Sequence, residues 1–97
     1  MQEYERVKFI FTVLEKFIVM DLNSKIALDD LKFTFTNILK IDLFAKRLQF
    51  SITKGLKQYS LNSQQSLIQQ ENLRIFNLNN QERKQIDINV KFIEEGA

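Results

Sequence analysis

The chain has no cysteine, histidine, proline or tryptophan, and only two glycines in 97 residues. Without cysteine there is neither a disulfide framework nor thiolate chemistry, and without histidine the usual zinc ligand and neutral-pH general base are missing. Most enzyme classes thereby lose their central residue. No paired acid and base or nucleophile and base spacing stands out, so the expectation is a non-catalytic protein with no cofactor. The lack of proline means that element boundaries must be set by other residues. No apolar run approaches the ~20 residues of a membrane span, and the acidic start Gln2-Glu3-Tyr4-Glu5 is unlike a basic signal-peptide lead. A cytoplasmic chain without a membrane span is expected.

What is present is apolar and aromatic: 44% hydrophobic residues with nine phenylalanines, enough for a single folded domain over residues 1–97. The net charge of +2 does not by itself announce a polyanionic partner. Its distribution is uneven, because no acidic side chain lies between Asp42 and Glu71 while Lys46, Arg47, Lys54 and Lys57 do, giving that segment +4. Two readings follow: a basic face for an acidic or phosphorylated partner, or the solvated side of one amphipathic helix.

Helical spacing dominates the periodicity. Val7, Ile10, Phe11, Leu14, Phe17 and Ile18 recur every three or four residues and predict a first helix, and Phe44, Leu48, Ile52, Leu56 and Tyr59 predict another. Between them a helix is expected from near Leu28 to Leu39, with Asp29 and Asp30 in its first turn, although Leu31 to Thr36 also alternates like a strand. Gly55 lies beside the second stripe and reads as a small residue at a helix crossing or a point of close backbone approach. Near the end Ile86, Ile88, Val90 and Phe92 alternate with Asp87, Asn89 and Lys91, a strand pattern that could pair with Leu73 to Leu78 as a hairpin. The last residues, Ile93 to Ala97, read as the start of a further helix in a longer protein.

An imperfect internal repeat runs through this pattern. Asp21-Leu22-Asn23-Ser24, Ile26 and Asp29-Asp30-Leu31-Lys32 return as Ser60-Leu61-Asn62-Ser63, Ile68 and Glu71-Asn72-Leu73-Arg74. With Phe17 and Met20 before the first loop and Leu56 and Tyr59 before the second, residues from about 7 to 76 resemble the EF-hand family, most nearly the calmodulin-like lobes of calcium-dependent protein kinases, with 77–97 as a separate C-terminal segment. No kinase motif accompanies it. The resemblance implies a mainly α fold of paired helix-loop-helix units, with loops side by side and Ile26 near Ile68. A calcium loop needs five oxygen positions, a central glycine and a closing glutamate over 12 residues. The first loop is about two residues short with Lys25 at a ligand position, and the second has Ser60 for the leading aspartate and Gln65 for the glycine. Asp21, Asn23, Asp30, Asn62 and Glu71 are the remaining candidate ligands, and calcium is not expected to bind usefully.

The function expected from the resemblance is a protein-interaction module with eroded calcium loops, gripping an amphipathic helix of a partner protein through Phe9, Phe33 and Phe50. A calcium sensor is a further alternative. From the C-terminal strand comes a different one: a winged helix, three helices plus a β-hairpin, in which Lys46, Arg47, Lys54 and Lys57 meet nucleic-acid phosphates and Gln49 or Gln58 reaches base edges.

Overall fold

Alternation of period two, not helical periodicity, organises about half of the described residues. In a computed structural model describing residues 4–44, 46–72 and 85–94, five strands form one mixed sheet with an α-helix on one face. Strand β1 (Tyr4–Phe11) turns into β2 (Lys16–Asn23) through a 3-10 turn, Thr12–Leu14, and Glu15 in the left-handed region at φ 53°. A second 3-10 turn, Leu28–Leu31, leads into helix α1 (Lys32–Leu39), which ends at Lys40, also left-handed at φ 60°. Strands β3 (Lys46–Lys54) and β4 (Lys57–Leu61) form the second hairpin, and β5 (Ile86–Glu94) completes the sheet.

The strand order is β2-β1-β5-β3-β4, a hairpin on each side of one central strand. Strand β5 runs parallel to β1 (Phe9 opposite Ile88) and antiparallel to β3 (Phe50 opposite Val90). Both of its edges are therefore occupied, which suits its β-branched, alternating sequence. On the covered face Val7, Phe9 and Phe11 of β1, Leu48, Phe50 and Ile52 of β3, and Ile86, Ile88 and Val90 of β5 are buried under Phe35 and Leu39 of α1. Phe35 stands edge-on between Phe9 and Phe11, at centroid distances of 5.0 and 5.1 Å, and locks the helix to β1.

The internal repeat is real, but it is a hairpin-and-loop repeat. Leu22-Asn23-Ser24 closes β2 and Leu61-Asn62-Ser63 closes β4. In each loop the asparagine side chain accepts a bond from the amide two residues on (Lys25 N and Gln64 N, both 2.9 Å), an Asx turn. The loops then bond reciprocally: Asp29 N donates to Ser63 O at 2.7 Å, Ile68 N donates to Ser24 O at 3.1 Å, and Ala27 bridges Ser66. Equivalent residues stand 39 apart without a gap, as Leu22 with Leu61 and Leu28 with Leu67, all four buried. The two units are thus related by an approximate two-fold, with β5 between them.

This architecture corrects the helical expectations. The chain is neither mainly α nor an EF-hand pair, and each repeated loop is entered from a strand, β2 or β4, and not from a helix, so the EF-hand interaction module, the calcium sensor and the kinase-lobe likeness all fall. The winged helix falls too, since three helices are absent among the described residues and the expected recognition helix is the hairpin β3–β4. The expected helix from Val7 to Ile18 is the hairpin β1–β2. A spacing of four is shared by the helical and the strand period, so Leu48 and Ile52 face the same way in either. Phe11, Leu48 and Ile52 are buried as expected, but Leu56, on the same presumed stripe, is fully exposed at the β3–β4 turn. Gly55 precedes it at φ +63° with nothing near a would-be Cβ, so the turn requires its conformation and no element approaches it. The helix ending at Leu39 and the strand from Ile86 are present. Ile26 and Ile68 do lie in adjoining loops, although Gln65, not Ile68, occupies the position equivalent to Ile26. Leu73 to Leu78, the expected hairpin partner, lies outside the described residues.

Candidate functional site

Because α1 covers only one face, the opposite face of the sheet presents every second side chain to solvent. That face divides in two. Over β3, β4 and the adjoining part of β5 it is polar and concave, a groove of about 500 Å³ lined on its open side by Arg47, Gln49, Ser51, Gln58, Ser60 and Lys91, with Asn62 and Gln64 at its end. The register sets this composition: Gln49 lies opposite Lys91, Arg47 opposite Ile93, and Ser51 opposite both Asn89 and Ser60. Gln58 Nε2 donates to Ser51 Oγ at 2.8 Å and Asn89 Nδ2 to Thr53 Oγ1 at 3.1 Å, so the amides are held in place across strands. Among the described residues no carboxylate lines the groove, which leaves Arg47 and Lys91 to set its potential. Asp87 shares the face of β5 but stands outside the groove, accepting a bond from the Gln85 side chain at 2.9 Å.

Over β1 and β2 the same face mixes apolar side chains with the charged Arg6, Lys8 and Asp21. Phe17 is 61% exposed, with Val19 and Tyr4 also open and Ile10 half-buried between them. Lys8 Nζ sits 4.4 Å above the Phe17 ring, a cation–π contact at the surface. Arg6 and Asp21 form an exposed pair at 3.3 Å beyond them, of the kind that contributes ~0–1 kcal/mol.

The residues singled out in the sequence scatter across this architecture. Phe9 and Phe50 are core residues, whereas Phe33 is 63% exposed on α1 and leans on the exposed Phe44 ring at 6.4 Å. The three therefore form no common groove. Of the four basic residues only Arg47 enters the polar groove; Lys46 lies over the Phe92 ring on the other side of the sheet, and Lys54 and Lys57 face each other at the Gly55-Leu56 turn. Asp21 pairs with Arg6, Asn23 and Asn62 hold their own loops, and Asp30 is exposed within the turn at Leu28–Leu31. Glu71 follows Gln70 at the end of the second loop. Among the described residues no group of three acidic side chains could hold a metal ion.

Lys91, Ser51 and Ser60 were not singled out in the sequence. Lys91 was within reach, since β5 reads as a strand and its polar positions must share one face; Ser51 and Ser60 required the register of β3 with β4. Among the described residues no helix is long and apolar enough to cross a membrane. No family model matches the chain, and no curated protein matches it.

Proposed function

We propose that this domain is a non-catalytic module that binds a nucleic-acid duplex with the polar half of its open sheet face. The observation that carries the proposal is the groove itself: two cations, amides and hydroxyls on a concave surface with no carboxylate in its lining among the described residues. Arg47 and Lys91 supply phosphate contacts, while Gln49 and Gln58 are of the residue types that bond base edges in a groove. Strands entering a duplex groove are an established docking geometry. A single strand fits less well, because such sites stack bases on aromatic rings and the exposed side chains of this half include none. A non-catalytic role agrees with a chain that lacks histidine and cysteine. A cytoplasmic setting is supported by the same lack of cysteine, which gives the fold nothing to gain from an oxidising compartment.

Fluorescence anisotropy with a labelled DNA duplex, an RNA duplex and a single strand tests this reading. Duplex binding in the weak non-specific range, Kd about 10⁻⁴–10⁻⁶ M, is expected, with a log–log salt slope of about −2 if both cations neutralise a phosphate. Arg47→Ala and Lys91→Ala should each reduce that slope by about 1. Duplex binding that both variants leave unchanged, or none at ~50 mM salt, would reject the proposal.

A further inference from the structure

The polar groove carries more neutral hydrogen-bonding groups than charge. Besides Arg47 and Lys91, its open side holds the amides of Gln49 and Gln58 and the hydroxyls of Ser51 and Ser60. Two cations neutralise about two phosphates, so against a partner that showed only phosphates most of this lining would be idle. The hydroxyls are placed to be used. Ser51 stands opposite Asn89 on one side and Ser60 on the other, a polar row across three strands. Its Oγ accepts from Gln58 Nε2 at 2.8 Å, which still leaves the hydroxyl its hydrogen and a second lone pair. Arg47 and Lys91 flank Gln49, one along β3 and one across on β5, so the cations lie to one side of that row.

The breadth of the face limits how deep these groups reach. In the order β2-β1-β5-β3-β4 both β3 and β5 are interior, and five strands at about 4.8 Å spacing span roughly 19 Å. The major groove of B-DNA is about 12 Å wide with base edges about 8.5 Å down, and its minor groove is only about 6 Å wide. The sheet therefore meets B-DNA broadside, and serine hydroxyls, one bond beyond Cβ, stop at the backbone. An A-form RNA duplex differs at this point: its minor groove is wide, shallow and lined with 2′-hydroxyls, each both donor and acceptor. Given the duplex-binding role proposed above, on which this rests, we infer that the groove selects RNA duplexes over DNA duplexes by bonding 2′-hydroxyls through Ser51, Ser60 and Gln58. Arg47 and Lys91 hold the phosphates on one flank of the minor groove, and the longer Gln49 reaches the base edges that a shallow groove exposes.

One sequence prepared as an RNA duplex, a DNA duplex and a 2′-O-methyl RNA duplex, each end-labelled for fluorescence anisotropy, tests this. RNA should bind on the order of tenfold more tightly than DNA at ~50 mM salt, the yield of two or three net hydrogen bonds, with similar salt slopes because the same cations act on both. The 2′-O-methyl duplex keeps the A-form but cannot donate from its 2′ oxygen, and it should fall to the DNA level. Ser51→Ala combined with Ser60→Ala should narrow the RNA-to-DNA ratio to within about threefold, whereas Arg47→Ala should weaken both duplexes and hold the ratio. Ser60 is exposed and Ser51 half-buried, so the double variant should keep its folded circular dichroism spectrum. Equal affinity for RNA and DNA, undiminished binding of the 2′-O-methyl duplex, or a double variant that keeps the ratio would overturn the inference and leave duplex binding standing. Failure of every duplex to bind would overturn both.

Discussion

The two hairpin units share a backbone plan and differ in almost everything they show to solvent. Both close on Leu-Asn-Ser, both turn on an asparagine side chain, and both bury the leucine five residues after that asparagine, Leu28 and Leu67. Outward, the β1–β2 unit presents Phe17 and Val19 while the β3–β4 unit presents Gln49, Ser51, Gln58 and Ser60. A strand separates its faces by parity, so the covered face of a duplicated unit can keep its apolar register while the open face takes on new chemistry. The cores therefore stay alike where the surfaces diverge.

The largest effect should come from the place where the units meet. Phe9 and Phe50 pack edge-on at 6.4 Å, one from each hairpin, with Phe35 against the first. Phe9→Ala should cost ~3–5 kcal/mol. Against a total of roughly 5–15 kcal/mol, much of the stability would go. Urea unfolding followed by tyrosine fluorescence and by far-UV circular dichroism should show one coincident transition, displaced for both probes. Two separated transitions would mean that the units fold independently.

A middle-sized effect distinguishes the loops. Gln70 is buried, and its amide nitrogen donates to Asn62 O at 2.6 Å and Gln65 O at 3.1 Å while its oxygen accepts from Asn62 N at 2.9 Å. The equivalent position of the first unit is the buried Leu31. Gln70→Leu would make the second loop match the first at that position but strand backbone groups that Gln70 satisfies, for a loss of about 1–3 kcal/mol. An unchanged denaturation midpoint would show that the loop holds without that side chain.

The smallest effect concerns the hairpin turns, each of which places one residue in the left-handed region: Glu15 at φ 53° and Gly55 at φ 63°. Glycine accepts that conformation at little steric cost and glutamate does not. Thermal melts should show Glu15→Gly stabilising by about 0.5–1 kcal/mol and Gly55→Ala destabilising by about 1 kcal/mol. Opposite signs at the two turns are the result to look for; a loss at Glu15→Gly would mean that its side chain contributes more than its conformation costs.

Several features were legible before the structure. Alternation from Ile86 to Phe92 marks β5 because its polar positions are regular, and the Leu-Asn-Ser repeat marks two equivalent loops that do meet. Their meeting did not identify the fold, since adjoining loops arise from paired hairpins as readily as from paired helix-loop-helix units. In β1 the run Val-Lys-Phe-Ile-Phe fits both periods: Val7, Phe9 and Phe11 alternate, while the half-buried Ile10 supplies the three- and four-residue spacings of a helix. Of the site, Arg47, Gln49 and Gln58 were visible as polar residues of a basic segment, but assigned to a helix face that does not exist.

By itself the sequence determined composition, charge, the absence of thiol and imidazole chemistry, the turn-forming loops and the one strand marked by strict alternation. Tertiary structure decided that the ambiguous apolar stretches are strands, because two hairpins and the β5 strand between them satisfy each other's backbone hydrogen bonds in a way that no local spacing records. It also decided which polar residues share a surface. Arg47 and Lys91 are far apart in the chain and come to one groove only through the register of β3 with β5, and that register is set by burial of Leu48, Phe50 and Val90 on the other side of the sheet.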